Sequence, residues 1–160
     1  MGTKVLTMLE PLWQGFPPVD PPAVSGSAAC TLAPHYESVS SARKFTRETL
    51  QGWELDDLFD SVALVVSELV TNALRHAILA APEQPDAVAP ARLHLMRWSQ
   101  RLICAVRDPS DGSPVAGEAD SAAESGRGLY LVESFSDSWG WHPLAGVTHG
   151  KIVWALFRLP

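Results

Sequence analysis

From Ser61 to Ile78 the apolar positions recur with a helical period. Val62, Val66, Leu69 and Ala73 fall on one face, and Ser67, Thr71 and Arg75 lie opposite. Asp56 is placed to cap this helix, Asp57 and Asp60 put negative charge where the helix dipole favours it, and Pro82 marks its end. Glu68, Asn72 and His76 recur every four residues along the flank between the two faces. That flank has two readings. It is a polar shoulder on an ordinary core helix, or a carboxylate, an amide and an imidazole stacked to meet a ligand together.

A second helix is expected over Ser38–Gly52, with Val39, Ala42, Phe45, Thr46 and Leu50 turned inward, Ser38 or Ser40 as its cap and Gly52 as its stop. Ala28–Ala33 is a short apolar run ended by Pro34, the pattern of an edge strand. Arg92–Trp98 and Leu102–Asp108 read as strands covered on at least one face, with Ser99-Gln100-Arg101 as a hairpin turn. Asp137–His142 and Lys151–Leu159 are the last two strands, joined through a turn with Gly146 and Gly150 as breakers. Gly126–Phe135 predicts a short helix opened by two glycines.

Helices cluster early and strands late, which predicts an α+β fold with helices on one face of a mostly antiparallel sheet. Three stretches lack either period. Residues 1–27 hold Pro11, Pro17, Pro18, Pro21 and Pro22 and read as a mobile tail, with Leu12, Trp13 and Phe16 as its apolar side chains able to dock. Residues 81–90, with three prolines, are a loop. From Ser113 to Ser125 the chain is mainly Gly, Ala, Ser, Glu and Asp, and a loop of that length inside a domain tends to be functional, often a lid.

Composition narrows the function. The 160 residues suit one domain, taken as 28–160, and 46% hydrophobic content suits a packed core. A net charge of −6 with scattered Lys and Arg argues against a nucleic-acid surface. No segment reaches the ~18 apolar residues of a membrane span, and prolines interrupt any signal-peptide core near the start, so a cytoplasmic location is expected. Cys30 and Cys104 form neither a metal pair nor a disulfide framework, and Cys104, in an apolar run, reads as a small core residue.

Three features then point one way. Asp108 closes an apolar strand, where a carboxylate accepts a hydrogen bond from an exocyclic amine such as that of adenine. Gly126 and Gly128 at a helix start let backbone N–H groups approach a phosphate. The Glu68-Asn72-His76 flank supplies the third.

In this combination the sequence resembles the GHKL, histidine kinase-like ATPases. Glu68-Leu-Val-Thr-Asn72-Ala-Leu-Arg-His76-Ala is similar to their N box, Asp108-Pro-Ser-Asp-Gly112 to their first glycine box and Ser125-Gly-Arg-Gly-Leu129 to their second. The likeness runs from about Ala28 to Pro160 and is nearest the SpoIIAB/RsbW-like branch of anti-sigma factor serine/threonine kinases. The resemblance implies the Bergerat ATP-binding fold, a two-layer α/β sandwich with a mixed, mostly antiparallel sheet. It implies ATP and Mg²⁺, with Asn72 on the metal, Glu68 as general base and His76 near the phosphates or structural. Asp108 would bind adenine, while Gly112, Gly126, Arg127, Gly128 and Leu129 would shape the pocket and its lid. It further implies phosphoryl transfer to a serine of an anti-anti-sigma (STAS-type) partner, control of a sigma factor, and a homodimer. Two positions depart from the pattern. Ser110 replaces a glycine of the first box, and Glu124 stands where the related kinases carry an arginine. The second departure keeps open an alternative reading, a non-catalytic ATP-binding switch of the same fold.

Overall fold

The computed structural model describes residues 24–80, 91–108, 122–143 and 150–160, with side chains at 24–75, 91–108, 129–143 and 150–160. The elements run β1 (Val24–Leu32), α1 (Ser38–Gly52), α2 (Phe59–Ala80), β2 (Ala91–Trp98), β3 (Arg101–Asp108), α3 (Ala122–Phe135), β4 (Ser138–Pro143) and β5 (Lys151–Arg158). The strands form one open sheet in the order β1-β2-β3-β5-β4, every neighbouring pair antiparallel. The expected α+β two-layer sandwich is what the chain builds. The expected tail up to residue 23, the loop 81–90, most of the expected lid and the turn 144–149 lie outside the described residues.

Strand alternation sorts the side chains into two cores. Leu93 and Leu95 of β2, Leu102, Cys104 and Val106 of β3, and Val153, Ala155 and Phe157 of β5 join the helices in the main core. Met96, Trp98, Ile103, Ala105, Ile152 and Leu156 form a second cluster from the alternate positions. The four α2 residues expected to face inward are all fully buried. Val65, Val70 and Leu74 are buried too, because α2 is flanked by α1 and α3 as well as laid on the sheet. Its apolar arc is therefore wider than a one-sided helix needs.

The helix starts differ from the sequence reading. α1 spans the expected residues, but its cap position is Glu37, with no side-chain cap bond. The Ser38 hydroxyl instead donates to the Ala33 carbonyl at 2.8 Å, tying the helix to the end of β1. Asp56 does not cap α2. It opens a separate 3-10 turn, Asp56–Leu58, before α2 begins at Phe59. The cause is the Leu55 N–H, which donates to the Leu50 carbonyl at 2.8 Å and coils the chain directly out of α1, while Leu55 and Leu58 pack on the main core. Asp60 keeps its place in the first turn of α2.

Strand limits shift for similar reasons. β1 begins at Val24, before the apolar run that predicted it, because Val24–Thr31 pairs with β2 regardless of side-chain polarity. The indole of Trp53 lies against Gly26, where a Cβ would come within 2.7 Å of the ring. Arg97 fixes that indole's residue by donating from Nη1 to the Trp53 carbonyl at 2.8 Å. In the hairpin, Trp98 pairs with Arg101, so the turn is Ser99-Gln100 and Arg101 belongs to β3. Ser99 takes the positive φ of 53° that so short a turn demands. Asp137 precedes β4 rather than opening it: its N–H donates to Leu156 and its carboxylate accepts from the Arg158 N–H at 2.6 Å.

Candidate nucleotide site

Asp108 ends β3 on the side of the sheet that carries Leu102, Cys104 and Val106, the side the helices cover. It is 2% exposed. Across the β3–β5 register stands Lys151, the first residue of β5 and 1% exposed. Its Nζ lies 3.3 Å from the Asp108 Oδ2. Two opposite charges removed from water are tolerable because each partners the other, and removing either would leave an uncompensated buried charge.

α2 packs on β3 and brings the polar flank into the same layer. Glu68 and Asn72 lie one turn apart and are half-buried, beside the fully buried Leu69 and Ala73 and short of full solvent. Ser67, Thr71 and Arg75, which the helical period places on the opposite face, are equally half-buried, so burial alone does not set Glu68 and Asn72 apart. His76 continues the row one turn further along α2, and its side chain lies outside the described residues. Ser67, half-buried beside Ala63 and Val70, donates its hydroxyl back to the Ala63 carbonyl at 2.7 Å.

The second glycine box is placed differently from expectation. α3 begins at Ala122, so Gly126 and Gly128 lie inside the helix and do not open it. Ala122, Ala123 and Glu124 are strong helix formers, and they start the helix ahead of the glycines. The N–H groups left unpaired by helix geometry are therefore those of the first turn, before Gly126. Arg127 is in the helix, with its side chain outside the described residues. Leu129 and Val132 are buried, Val132 in the main core, and α3 packs on α2. Gly112 and Ser110 lie outside the described residues.

The arrangement offers a buried carboxylate at a strand end and a half-buried carboxylate–amide pair on the neighbouring helix. The first suits a donor group of a ligand base, the second a hard cation or a hydroxyl proton. Among the described residues no group of three His, Cys, Asp or Glu side chains stands ready to hold a metal by itself. An ion such as Mg²⁺, which keeps water and shares phosphate oxygens, requires no such cage.

Lys151 is the site residue that sequence reasoning missed. A signal was present: a lone ammonium opens the apolar run Ile152–Phe157, and a lone carboxylate, one residue beyond Arg107, follows the apolar run Leu102–Val106. Charges at the ends of two buried strands need partners, and each other is the economical choice.

A family model described as histidine kinase-like ATPase domain matches residues 32–156. No curated protein matches the chain. No helix among the described residues is long and apolar enough to cross a membrane.

Proposed function

The chain belongs to the histidine kinase-like ATPase domains, and from that premise we propose that it is an Mg·ATP-dependent protein serine kinase of the anti-sigma type. Family membership implies ATP binding. What carries the finer reading is the pairing of Glu68 and Asn72 one turn apart on the half-buried flank of α2.

In this reading Asp108 accepts from the adenine amine. Asn72 would hold Mg²⁺ through its amide oxygen, a hard donor suited to that ion, which would supply charge neutralisation at the phosphates. Glu68 would take the proton of the serine hydroxyl as the serine oxygen attacks the γ-phosphorus, the bond from that phosphorus to the β–γ bridging oxygen breaks, and ADP leaves. The substrate serine belongs to an anti-anti-sigma, STAS-type protein, and the regulated partner is a sigma factor, both taken from the resemblance of the three motifs. A homodimer has the same basis.

One observation favours a second reading. Glu124 stands where the branch carries a cation for the γ-phosphate, and loss of such a cation costs orders of magnitude in transfer. If Arg127 does not substitute, the domain is a non-catalytic switch that ATP orders. Incubation of a serine-bearing STAS-type partner with γ-labelled ATP and Mg²⁺ separates the two. Label on the partner supports the kinase. Tight Mg·ATP binding without label supports the switch, and absence of Mg·ATP binding removes both.

A further inference from the structure

Resting on the reading that a purine base sits at Asp108, we infer that Lys151 is a specificity-determining residue and that the base site accepts 6-oxopurine nucleotides such as GTP alongside ATP. The buried contact of Lys151 with Asp108, at 3.3 Å, sets a strong donor directly beside a strong acceptor. Adenine and guanine differ at position 6, where adenine carries an amine donor and guanine a carbonyl acceptor. A carboxylate alone selects adenine, because it accepts from the amine and repels the guanine carbonyl oxygen.

An ammonium changes that rule. Lysine has three donors and no acceptor, and an ionised aspartate has only acceptors. Together they complement adenine, whose amine donates to Asp108 while ring N1 accepts from Lys151. They equally complement guanine, whose O6 accepts from Lys151 while its N1–H donates to Asp108. Both charged groups are almost withdrawn from solvent, at 1% and 2% exposure. Hydrogen bonds to such charged groups are strong, so a base that reaches the pair is held best in one of these two ways. Cytosine presents the same edge of amine donor and ring-nitrogen acceptor, so weaker binding of CTP would reflect its smaller ring and not this pair.

The test is a binding panel of ATP, GTP, ITP and CTP, each with Mg²⁺, on the wild-type chain and on Lys151→Gln. The expected result is that ATP, GTP and ITP bind the wild type within about tenfold of one another, whereas sites built around one hydrogen-bonding group reject its mismatch by about ten-thousandfold. Lys151→Gln should weaken all three purine nucleotides, and GTP and ITP by about tenfold more than ATP, because the neutral amide no longer offsets the repulsion between the Asp108 carboxylate and the 6-carbonyl oxygen. The wild-type panel decides even if the variant folds poorly. ATP binding with GTP and ITP more than about a hundredfold weaker overturns the inference and leaves the ATP reading standing. Failure of all four nucleotides to bind overturns both. Equal losses for ATP and GTP in a folded Lys151→Gln also overturn it, since they mark Lys151 as structural only.

Discussion

Asp108 and Lys151 face each other across the β3–β5 register with Nζ 3.3 Å from Oδ2, both inside the protein. The pair fastens the end of β3 to the start of β5. Its energetic character is that of a buried ion pair, in which attraction is offset by the loss of hydration on both sides.

Breaking one half should therefore be far worse than removing both. Lys151→Met is expected to lose about 3–5 kcal/mol of stability in urea unfolding, because the buried Asp108 carboxyl loses its counter-ion. The double variant Asp108→Leu/Lys151→Met should recover most of that loss. A double variant as unstable as the single one would show that the pair's surroundings, and not its charge balance, hold this corner.

A second prediction concerns the packing that the sequence does not advertise. A methyl group at residue 26 would stand 2.7 Å from Trp53 Cε2 and 2.8 Å from Cζ2. The indole cannot retreat freely, since the Trp53 carbonyl is held by Arg97. Gly26→Ala should cost about 1–3 kcal/mol, as overpacking does. In a Trp53→Leu background the same change should cost much less, and equal costs in the two backgrounds would separate the effect from the ring.

The third prediction is a pH slope. His94 on β2 pairs across the sheet with Ala29 and Ala105, and Arg92 and Arg107 lie one step along its own and the neighbouring strand. Burial first, then the Arg92 and Arg107 guanidinium charges, lower its pKa from 6.5 to about 4. The folded state thus binds this proton less readily than the unfolded chain. Stability is fully present above the unfolded value and is lost as pH falls from about 6.5 toward 4, by on the order of 2–3 kcal/mol. Between pH 7 and pH 4 the wild type should lose that amount of stability relative to His94→Gln, whose side chain does not titrate there. Parallel curves would remove His94 as the cause.

Much of this architecture was legible because it is local. α1 occupies Ser38–Gly52 as its period and terminal glycine predict, and Val62, Val66, Leu69 and Ala73 lie inside as α2's spacing requires. Glu68 and Asn72 occupy the half-buried flank for the same reason. What escaped depends on contacts between distant segments. Lys151 meets Asp108 only because β3 and β5 are neighbours, and Val24–Ser27 becomes strand only because β2 offers its backbone. The start of α3 escaped for a local reason: the alanines before Gly126 outweighed the glycines as helix determinants.

The last prediction separates binding from chemistry on α2. Asn72 and Glu68 share one flank and similar burial, yet the proposed roles differ in kind. Loss of a metal ligand weakens the nucleotide complex, whereas loss of a base leaves ground-state binding intact and slows only transfer. Asn72→Ala is expected to weaken Mg·ATP binding by about tenfold or more, the range for losing a hydrogen bond or ligand to a charged group. Without Mg²⁺, its nucleotide affinity should match that of the wild type. Glu68→Gln should bind Mg·ATP like the wild type and lose labelled-phosphate transfer by at least about a hundredfold, the scale of general-base catalysis. Both chains should keep wild-type circular dichroism, since neither side chain belongs to the buried arc of Val62, Val66, Leu69 and Ala73. If Glu68→Gln still transfers phosphate at the wild-type rate, the base lies elsewhere. If instead Asn72→Ala keeps full Mg·ATP affinity, the amide is only a polar shoulder on a core helix.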